Sequence, residues 1–489
     1  MASRTGRAVL PTLLVGIGLL PSLLLAVRAG TATSRIDAGS LRQSLLFALG
    51  GAAVSVLAGS VCAVVIGTHD FRGRRAATLL LAVPIAAPPA FWWLGFSRLP
   101  NLTSPSSAAG LLPASLVSGL SLSPVAFLVV LAAIREIPTS AYEAARLSLS
   151  PLLRLRWVLV PLIKPSILSA FLLTSILLLA ESEIPFLFGF RTTMTDVITE
   201  FSRTFDTSRI AAPAVALLLV VLVLGASLAR PLLRTLLVLP RGGRGIARTR
   251  SASAGFFAFG AVVVALSPLI GYAWPALRSH EADGRLSVNA ITVLVSICEP
   301  ALAALVALLL GVAAAYPLRR SSGINILLAA GLLVFCIPSA VNAIGWIGLG
   351  QRLGGTSVPP VLVQVLRLWG MAAIGFATAY ARLPKSLEDA ARLIPTSALV
   401  RTWTFVLPVL APSLAATALL SAAIVYSDRD VVSLLLPPGA ERLTLDLYLA
   451  SANAPASTVG SLGLLVFAAA LATAGMASTI PFVVLRRRG

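Results

Sequence analysis

The chain has 489 residues, of which 57% are hydrophobic and only 11% are charged. Soluble globular domains carry about 25% charged residues, so this composition excludes a soluble protein and indicates an integral membrane protein. The net charge of +20 could suggest nucleic-acid binding, but the cations cluster in short loops between apolar runs, as in the cytoplasmic loops of membrane proteins.

Apolar runs of about 20 residues predict membrane-spanning helices, and the sequence contains twelve of them. The first is interpreted as an uncleaved helix, because its apolar core is long for a signal peptide. The predicted spans lie near 8–27, 43–66, 77–96, 111–133, 166–189, 211–232, 253–275, 288–316, 324–349, 359–380, 413–435 and 459–485.

Alternate loops and the two tails hold 24 of the 38 Lys and Arg residues, which predicts that these loops and both termini are cytoplasmic. One of them, 233–252, is rich in Gly, Arg and Ser, and it either links two halves, 1–240 and 241–489, or merely orients the chain. The predicted cytoplasmic loops are 67–76, 134–165, 233–252, 317–323 and 381–412.

A polar, cationic loop occurs twice, at 138–161 and at 384–408. Each copy contains a Ser, an acid three residues later, then Ala-Ala-Arg-Leu, and it ends on a proline. The second acid, Asp389, follows the first, Glu143, by 246 residues, which is about half the chain. The sequence therefore predicts an internal repeat, with two pseudo-symmetric six-helix halves in an all-α polytopic fold of about 12 transmembrane helices.

A duplicated polar loop in an otherwise hydrophobic chain predicts a docking surface. The Ser-x-x-acid pattern also fits a helix capping box, and both roles are compatible. Capping does not require a loop of about 30 residues or a pair of small alanines that let another surface approach. The predicted docking residues are Glu143, Ala144, Ala145, Arg146, Asp389, Ala390, Ala391 and Arg392.

Acidic residues also occur within two predicted spans, at Glu181 and Glu183 in the fifth and at Asp428 and Asp430 in the eleventh. Ionisable groups at membrane depth are costly, so they are candidates for a substrate pathway that suits a cationic or hydroxyl-bearing solute. Two alternatives remain open: pairing with a neighbouring cation such as Arg429, or a position at the outer interface.

Two further charges in predicted spans, Glu299 and Arg367, are weaker pathway candidates that could pair with each other. The three cysteines lie in apolar runs, where they read as small buried hydrophobes, and the two histidines are too few for a metal site. We therefore expect no metal and no catalytic residue.

The twin loop resembles the EAA loop of ABC-importer permeases, in which Glu-Ala-Ala is followed by Gly and a hydrophobic-Pro ending. This resemblance implies the type I permease fold and a short cytoplasmic coupling helix that docks on an ABC ATPase subunit. Glu143 and Asp389 take the position of the family's acid, whereas Leu149 and Pro395 stand where the family has Gly. Because Gly tolerates unusual backbone angles, this departure affects the turn after the helix.

The segment 434–448, LLLPPGAERLTLDLY, resembles fused double-length permeases for ferric iron and thiamine. The resemblance implies a bacterial inner-membrane protein that receives its solute, with ferric iron as the first candidate, from an extracytoplasmic binding protein. It also implies that this chain is not an enzyme and binds no cofactor, with ATP bound and hydrolysed by a partner dimer.

Two other classes of protein are alternatives. A secondary transporter of the major facilitator type also has twelve spans in two halves, and GTHDFRGRR at 67–75 imperfectly matches its loop motif between spans two and three. Such a transporter uses an ion gradient and needs no long loops after spans four and ten. A membrane enzyme is disfavoured, because the sequence has no P-loop, no His-rich metal set and no nucleophile elbow.

Overall fold

A computed structural model of the chain shows an almost entirely helical protein. The structure describes the continuous ranges 4–30, 36–99, 110–137, 139–237, 248–278, 288–319, 323–353, 358–383 and 402–486. Within 384–401 it describes only the single positions Ser386, Leu387, Asp389, Leu393, Ser397 and Val400.

The helices up to residue 237 are α1 (Arg4–Ala29), α2 (Ala38–Thr68), α3 (Arg74–Leu80), α4 (Pro89–Phe96), α5 (Leu111–Ser121), α6 (Ser123–Arg135), α7 (Thr139–Ser148), α8 (Pro151–Arg154), α9 (Val160–Leu179), α10 (Glu183–Leu187), α11 (Thr193–Thr204) and α12 (Thr207–Leu237). A 3-10 turn at Val83–Ala86 follows α3, and a π-helical turn at Leu155–Leu159, the first π-turn, joins α8 to α9.

The later helices are α13 (Ala252–Arg278), α14 (Ala290–Ala315), α15 (Gly323–Cys336), α16 (Ser339–Arg352), α17 (Pro360–Ala381), α18 (Leu407–Ser427), α19 (Arg429–Leu435), α20 (Leu443–Asn453) and α21 (Ala456–Arg486). A 3-10 turn at Tyr316–Leu318 follows α14, and a second π-turn at Thr402–Val406 precedes α18. The two-residue strands β1 (His69–Asp70) and β2 (Thr249–Arg250) pair in parallel.

The predicted fold class is confirmed. Within the described ranges, nine helices are long and apolar enough to cross a membrane, and three strongly bent helix pairs raise the number of candidate spans to twelve. These candidates overlap the twelve predicted apolar runs. The chain is an all-α polytopic membrane protein with the architecture expected of a type I permease.

Three predicted spans are bent rather than continuous, by 103° before Pro89, by 46° between Ser121 and Ser123, and by 87° before Ser339. Proline causes these breaks, because it has no N–H donor and disfavours helical angles in the preceding residue. At the first bend the indole Nε1 of Trp92 donates to the carbonyl oxygen of Pro84 at 2.9 Å, which satisfies a backbone acceptor that the break exposes.

Packing divides the chain into two compact units that interleave along the sequence. The first unit comprises Leu25–Leu286 and Leu447–Leu464. The second comprises Met1–Leu24, Ser287–Asp446 and Leu465–Gly489. Most of α1 therefore packs in the unit that contains most of the second predicted half, and α13 packs in the unit that contains most of the first.

Each unit has a glycine at a close approach of two helices. A Cβ on Gly59 of α2 would lie 2.6 Å from the backbone nitrogen of Phe127 in α6. In the other unit, a Cβ on Gly311 of α14 would lie 2.6 Å from the backbone nitrogen of Ala373 in α17. Small residues at these crossings let the backbones approach, which is how membrane helices gain packing energy.

The second arm of a bent span also meets α1 or α13 through a glycine in each unit. Gly95 of α4 lies against Pro268 of α13, and Gly345 of α16 lies against Pro21 of α1. In each unit, α1 or α13 thus presents a proline to the equivalent glycine. No pattern in the sequence indicated where these two helices pack.

Candidate functional site

The first twin loop forms the amphipathic helix α7. Glu143, Ala144 and Arg146 are exposed, whereas Tyr142 and Ala145 are buried, at 5% and 8% exposure. The predicted alanine pair is therefore divided, with Ala144 on the outer face and Ala145 on the face that packs against the protein. Leu147, which the sequence did not single out, is 90% exposed beside Arg146.

Tyr142 fastens α7 to the membrane helices of its unit. Its ring belongs to a hydrophobic cluster with Ile134 at the end of α6, Leu159 of the first π-turn and Ile163 of α9. The guanidinium of Arg154 lies 5.1 Å from the centroid of the same ring, a cation–π contact. A force on the outer face of α7 would reach α6 and α9 through this cluster.

The first π-turn follows from the proline that ends the loop. Pro161 has no N–H, and its ring crowds the carbonyl four residues earlier, so a regular α-helical turn cannot form there. The backbone N–H of Val160 instead donates to the carbonyl oxygen of Leu155, five residues back. Trp157, within this turn, is 66% exposed.

The second twin loop is described at single positions up to Val400 and continuously from Thr402 onward. Asp389 is exposed, and Leu393 is 85% exposed, but the predicted docking residues Ala390, Ala391 and Arg392 lie outside the described residues. The second π-turn ends two residues before Pro408, just as the first ends two residues before Pro161. The ends of the two loops therefore match in conformation as well as in sequence.

Aromatic and polar side chains fix the end of the second loop to its unit. The hydroxyl of Tyr316 hydrogen-bonds to the hydroxyl of Thr402, the first residue of the second π-turn. Arg319 lies over the Tyr316 ring, 3.7 Å from its centroid, and its Nε donates to the hydroxyl of Tyr380 at 3.1 Å. The end of α14, the end of α17 and the second π-turn are thus joined.

The acidic residues predicted in the fifth span lie at a helix break. The span helix α9 ends at Leu179, and the Oε1 atom of Glu181 accepts hydrogen bonds from the backbone N–H groups of Glu183 and Ile184, at 2.9 and 3.3 Å. Glu181 thus satisfies two donors at the start of α10. Glu183 begins α10 and is 7% exposed.

The equivalent acids of the second half also lie at a break, between α18 and α19. Asp428 is buried and forms an ion pair with Arg367 of α17, with 2.7 Å between Oδ2 and Nη1. Asp430 lies in the first turn of α19 and is partly exposed. The structure thus places all four predicted acids where a span is interrupted, and Asp428 is neutralised by a cation from another helix.

The predicted pairing of Glu299 with Arg367 is wrong. Arg367 pairs with Asp428, and Glu299 pairs with Arg442, which lies directly before α20. Arg367 lies 61 residues from Asp428, and Arg442 lies 143 residues from Glu299, so only the folded chain brings these partners together. Local sequence carries no signal for either pair.

The segment 434–448, which resembles iron and thiamine permeases, bonds to one face of α14 where α20 begins. Thr292 donates to Glu441 at 2.9 Å, the backbone N–H of Leu443 donates to Ser296 at 3.1 Å, and Glu299 pairs with Arg442. Thr292, Ser296 and Glu299 are spaced i, i+4 and i+7, so they share one helix face. The first unit has a counterpart, in which the N–H of Thr193 in α11 donates to Ser44 of α2 at 2.8 Å.

The fold and these sites define a polytopic helical membrane protein in which one loop forms an amphipathic helix, α7, with an exposed polar face. Residues 55–230 match the family described as the binding-protein-dependent transport system inner membrane component. The match includes α7 and the acids Glu181 and Glu183. The matched part, less than half of the chain, is therefore similar to a family of transport-system membrane components. No curated protein and no solved structure matches the chain.

Proposed function

We propose that the chain is the transmembrane permease of an ATP-driven ABC importer, and that its twin loops couple it to the ATPase. The observation that carries this proposal is the outer face of α7, with Glu143, Ala144, Arg146 and Leu147, inside the region that matches the transport family. This face combines charge with small and aliphatic surface, while Tyr142 ties the helix to the spans.

The chain provides both permease halves of the importer in this proposal, as a fused double-length protein. The family match covers only 55–230, but later elements repeat the features of the first half. The two π-turns before Pro161 and Pro408, and the two glycine–proline contacts of α4 and α16, support an internal duplication. The second loop, including Asp389, Ala390, Ala391 and Arg392, then docks on the second ATPase subunit.

The partners follow from this assignment. The ATPase dimer binds ATP, this chain binds no cofactor, and an extracytoplasmic binding protein delivers the solute. The bias of Lys and Arg supports a cytoplasmic position for both twin loops and both termini. In this proposal the spans lie in a bacterial inner membrane. ATP-driven closure of the dimer draws the twin loops together, and the helices tied to them switch the pathway between two states.

Ferric iron is the first candidate for the solute, and thiamine or a polyamine are others. The resemblance of 434–448 to iron permeases supports it, although three residues of that segment contact α14. Glu181, Glu183 and Asp430 are the acids proposed to line the pathway. Asp428 lies beside the proposed pathway, and its ion pair with Arg367 gives it a structural role there. No comparison supports the facilitator-type alternative.

Purification of the intact complex from native membranes in mild detergent tests this function. We expect an ABC ATPase and a solute-binding protein to co-elute. We also expect Glu143→Arg combined with Asp389→Arg to abolish uptake while the protein still inserts, because both partner contacts are reversed in charge. Glu200→Arg, on the partly exposed α11, is the matched control and should retain uptake. Transport that persists without any ATPase, or that survives the double substitution, would refute the proposal.

A further inference from the structure

An apolar groove of about 780 Å³ opens among α14, the second π-turn, α18 and α21. Its buried floor includes Leu308, Leu407 and Leu414, which are 4%, 6% and 2% exposed. Leu309 and Trp403 form its rim and are 61% and 38% exposed. This volume lies in the range of cavities that hold small organic ligands.

The length of the groove matches the thickness of one leaflet of a bilayer. Its lining along α14 and the following 3-10 turn runs from Leu305 to Tyr316, eleven residues later. At about 1.5 Å per residue this distance is about 16 Å, which is half of the roughly 30 Å hydrocarbon core. The opposite wall, from Thr402 to Leu414, covers a similar length.

The two ends of the groove differ in polarity. Tyr316, Thr402 and Trp403 lie at one end, where the Tyr316 and Thr402 hydroxyls bond to each other. Arg319 stacks on the Tyr316 ring, so a cation sits beside this end. The end with Leu305 and Leu414 is aliphatic. Aromatic rings and arginines of this kind mark the interface of a membrane, where guanidinium groups bind phosphate.

We propose that the groove binds one glycerophospholipid with an anionic headgroup, its acyl chain along Leu309 and its phosphate beside Arg319. Three helices that contribute to the groove belong to the candidate spans Ala290–Leu318, Thr402–Ser427 and Ala456–Val484. The exposed rim at Leu309 is apolar, so it suits contact with hydrocarbon, where acyl chains are the abundant apolar partner. Three features favour a phospholipid over an uncharged apolar solute: a length that matches one leaflet, a polar end, and the charge of Arg319.

The first unit has no pair of hydroxyl side chains at the corresponding positions. The glycine–helix and π-turn equivalences align Tyr316 with Val64 and Thr402 with Leu155, and both pack against the hydrophobic cluster around Tyr142. One strongly held lipid per chain is therefore expected from the described residues. Because Thr402 begins the second π-turn, the lipid would brace the end of the second twin loop.

Native mass spectrometry of the purified full chain tests this lipid site independently of transport. The protein is titrated with palmitoyl-oleoyl phosphatidylglycerol or with the corresponding phosphatidylcholine. We expect one phosphatidylglycerol to remain bound under activation that strips the other lipids. Leu309→Trp fills the groove and should weaken this binding about tenfold or more, equivalent to about 1.4 kcal/mol.

Two further variants make the test specific. Leu302→Trp adds the same ring to another exposed position of α14, 55% exposed and outside the groove, and should retain the lipid. Arg319→Gln should bind phosphatidylglycerol and phosphatidylcholine about equally, because it loses the charge beside the phosphate. A wild-type chain that retains no lipid, an equal loss in both Trp variants, or a wild type without headgroup preference would overturn the proposal. Thermal unfolding of each variant confirms that it is folded.

Discussion

The guanidinium of Arg367 and the carboxylate of Asp428 lie 2.7 Å apart, and their side chains are only 7% and 6% exposed. Arg367 also donates through Nε to the carbonyl oxygen of Phe335 at 3.3 Å. This one side chain therefore joins α17, the end of α15 and the break between α18 and α19. A buried pair of this kind is costly to break, because the remaining charge stays desolvated.

We predict that Asp428→Ala destabilises the protein by about 3–5 kcal/mol, because Arg367 is left buried without its carboxylate. The double variant Arg367→Leu with Asp428→Leu should recover much of this loss, because it removes both charges. The measurement is thermal unfolding in detergent. The control is Asp196→Ala, whose partner Arg191 is 74% exposed, and it should cost about 1 kcal/mol or less. Equal effects in the two single variants would contradict a special role for the buried pair.

The contact of Gly345 with Pro21 gives a second prediction. A Cβ at Gly345 would lie 2.6 Å from the Cβ of Pro21, and backbone atoms of Pro21 are nearly as close. Gly345→Ala should therefore push α1 away and destabilise the second unit by about 1–3 kcal/mol.

The matched control for this contact is Gly16→Ala. Gly16 also lies in α1, but among the described residues no atom beyond its own helix turn would come within 4 Å of its added Cβ. It should be neutral or slightly stabilising, because Ala favours a helix. Thermal unfolding and the accessibility of α1 to protease would report the difference. A neutral Gly345→Ala would show that α1 does not depend on this contact.

Much of the helical layout could be predicted from the sequence, because the length of an apolar run directly limits what can cross a bilayer. The bends were missed although their signal was present. Pro89 and Pro338 lie within predicted spans, and each proline interrupts the helical pattern of backbone hydrogen bonds there. A continuous apolar run thus indicates burial in the membrane but not a straight helix.

The partners of charged groups could not be predicted in the same way. The sequence suggested that Glu299 and Arg367 pair, since both lie in apolar runs, but their partners come from segments far away in the chain. The amphipathic character of α7 was also only partly visible. The duplicated polar loop with its pair of alanines predicted a docking surface, but only packing around Tyr142 shows that Ala145 faces inward.

Asp206 gives a prediction about pH. Hydrogen bonds from the backbone N–H and the hydroxyl of Ser208 lower the pKa of this carboxyl, which directly precedes α12. A lowered pKa in the folded state means that the ionised form stabilises the fold above the unfolded pKa. This contribution is lost as the pH falls through the folded pKa.

Asp206→Ala should therefore cost about 1 kcal/mol at neutral pH, a typical value for a lost helix cap. The difference from wild type should shrink below about pH 4, where an unperturbed Asp becomes protonated. Thermal unfolding in detergent across this range measures the change. Asp37→Ala, which removes a carboxylate that accepts from Gly39 at the start of α2, provides a second cap for comparison. A difference that stays constant with pH would rule out a role for the carboxylate charge.

The acids at the helix breaks predict a change in substrate response. If Glu183 and Asp430 line the pathway, Glu183→Gln or Asp430→Asn should alter ATP turnover stimulated by the loaded binding protein while basal turnover stays near that of wild type. Reconstituted vesicles with the ATPase present give both rates. The control is Asp446→Asn in α20, whose carboxyl has a pKa raised by burial and by Glu441. Wild-type stimulation in both pathway variants would remove these acids from the pathway.

The two alanines of α7 separate docking from folding. Ala144 lies on the exposed face, whereas Ala145 is 8% exposed and faces the protein. Ala144→Trp should leave the free energy of unfolding within about 0.5 kcal/mol of wild type, because surface changes rarely cost more. It should nevertheless block binding of the ATPase, since a large ring stands where the partner must approach.

Ala145→Trp should instead lower stability by about 1–3 kcal/mol through overpacking. Measuring thermal unfolding together with retention of the ATPase on the purified permease distinguishes the two effects. If Ala144→Trp retains the ATPase as well as wild type does, the outer face of α7 is not the coupling surface.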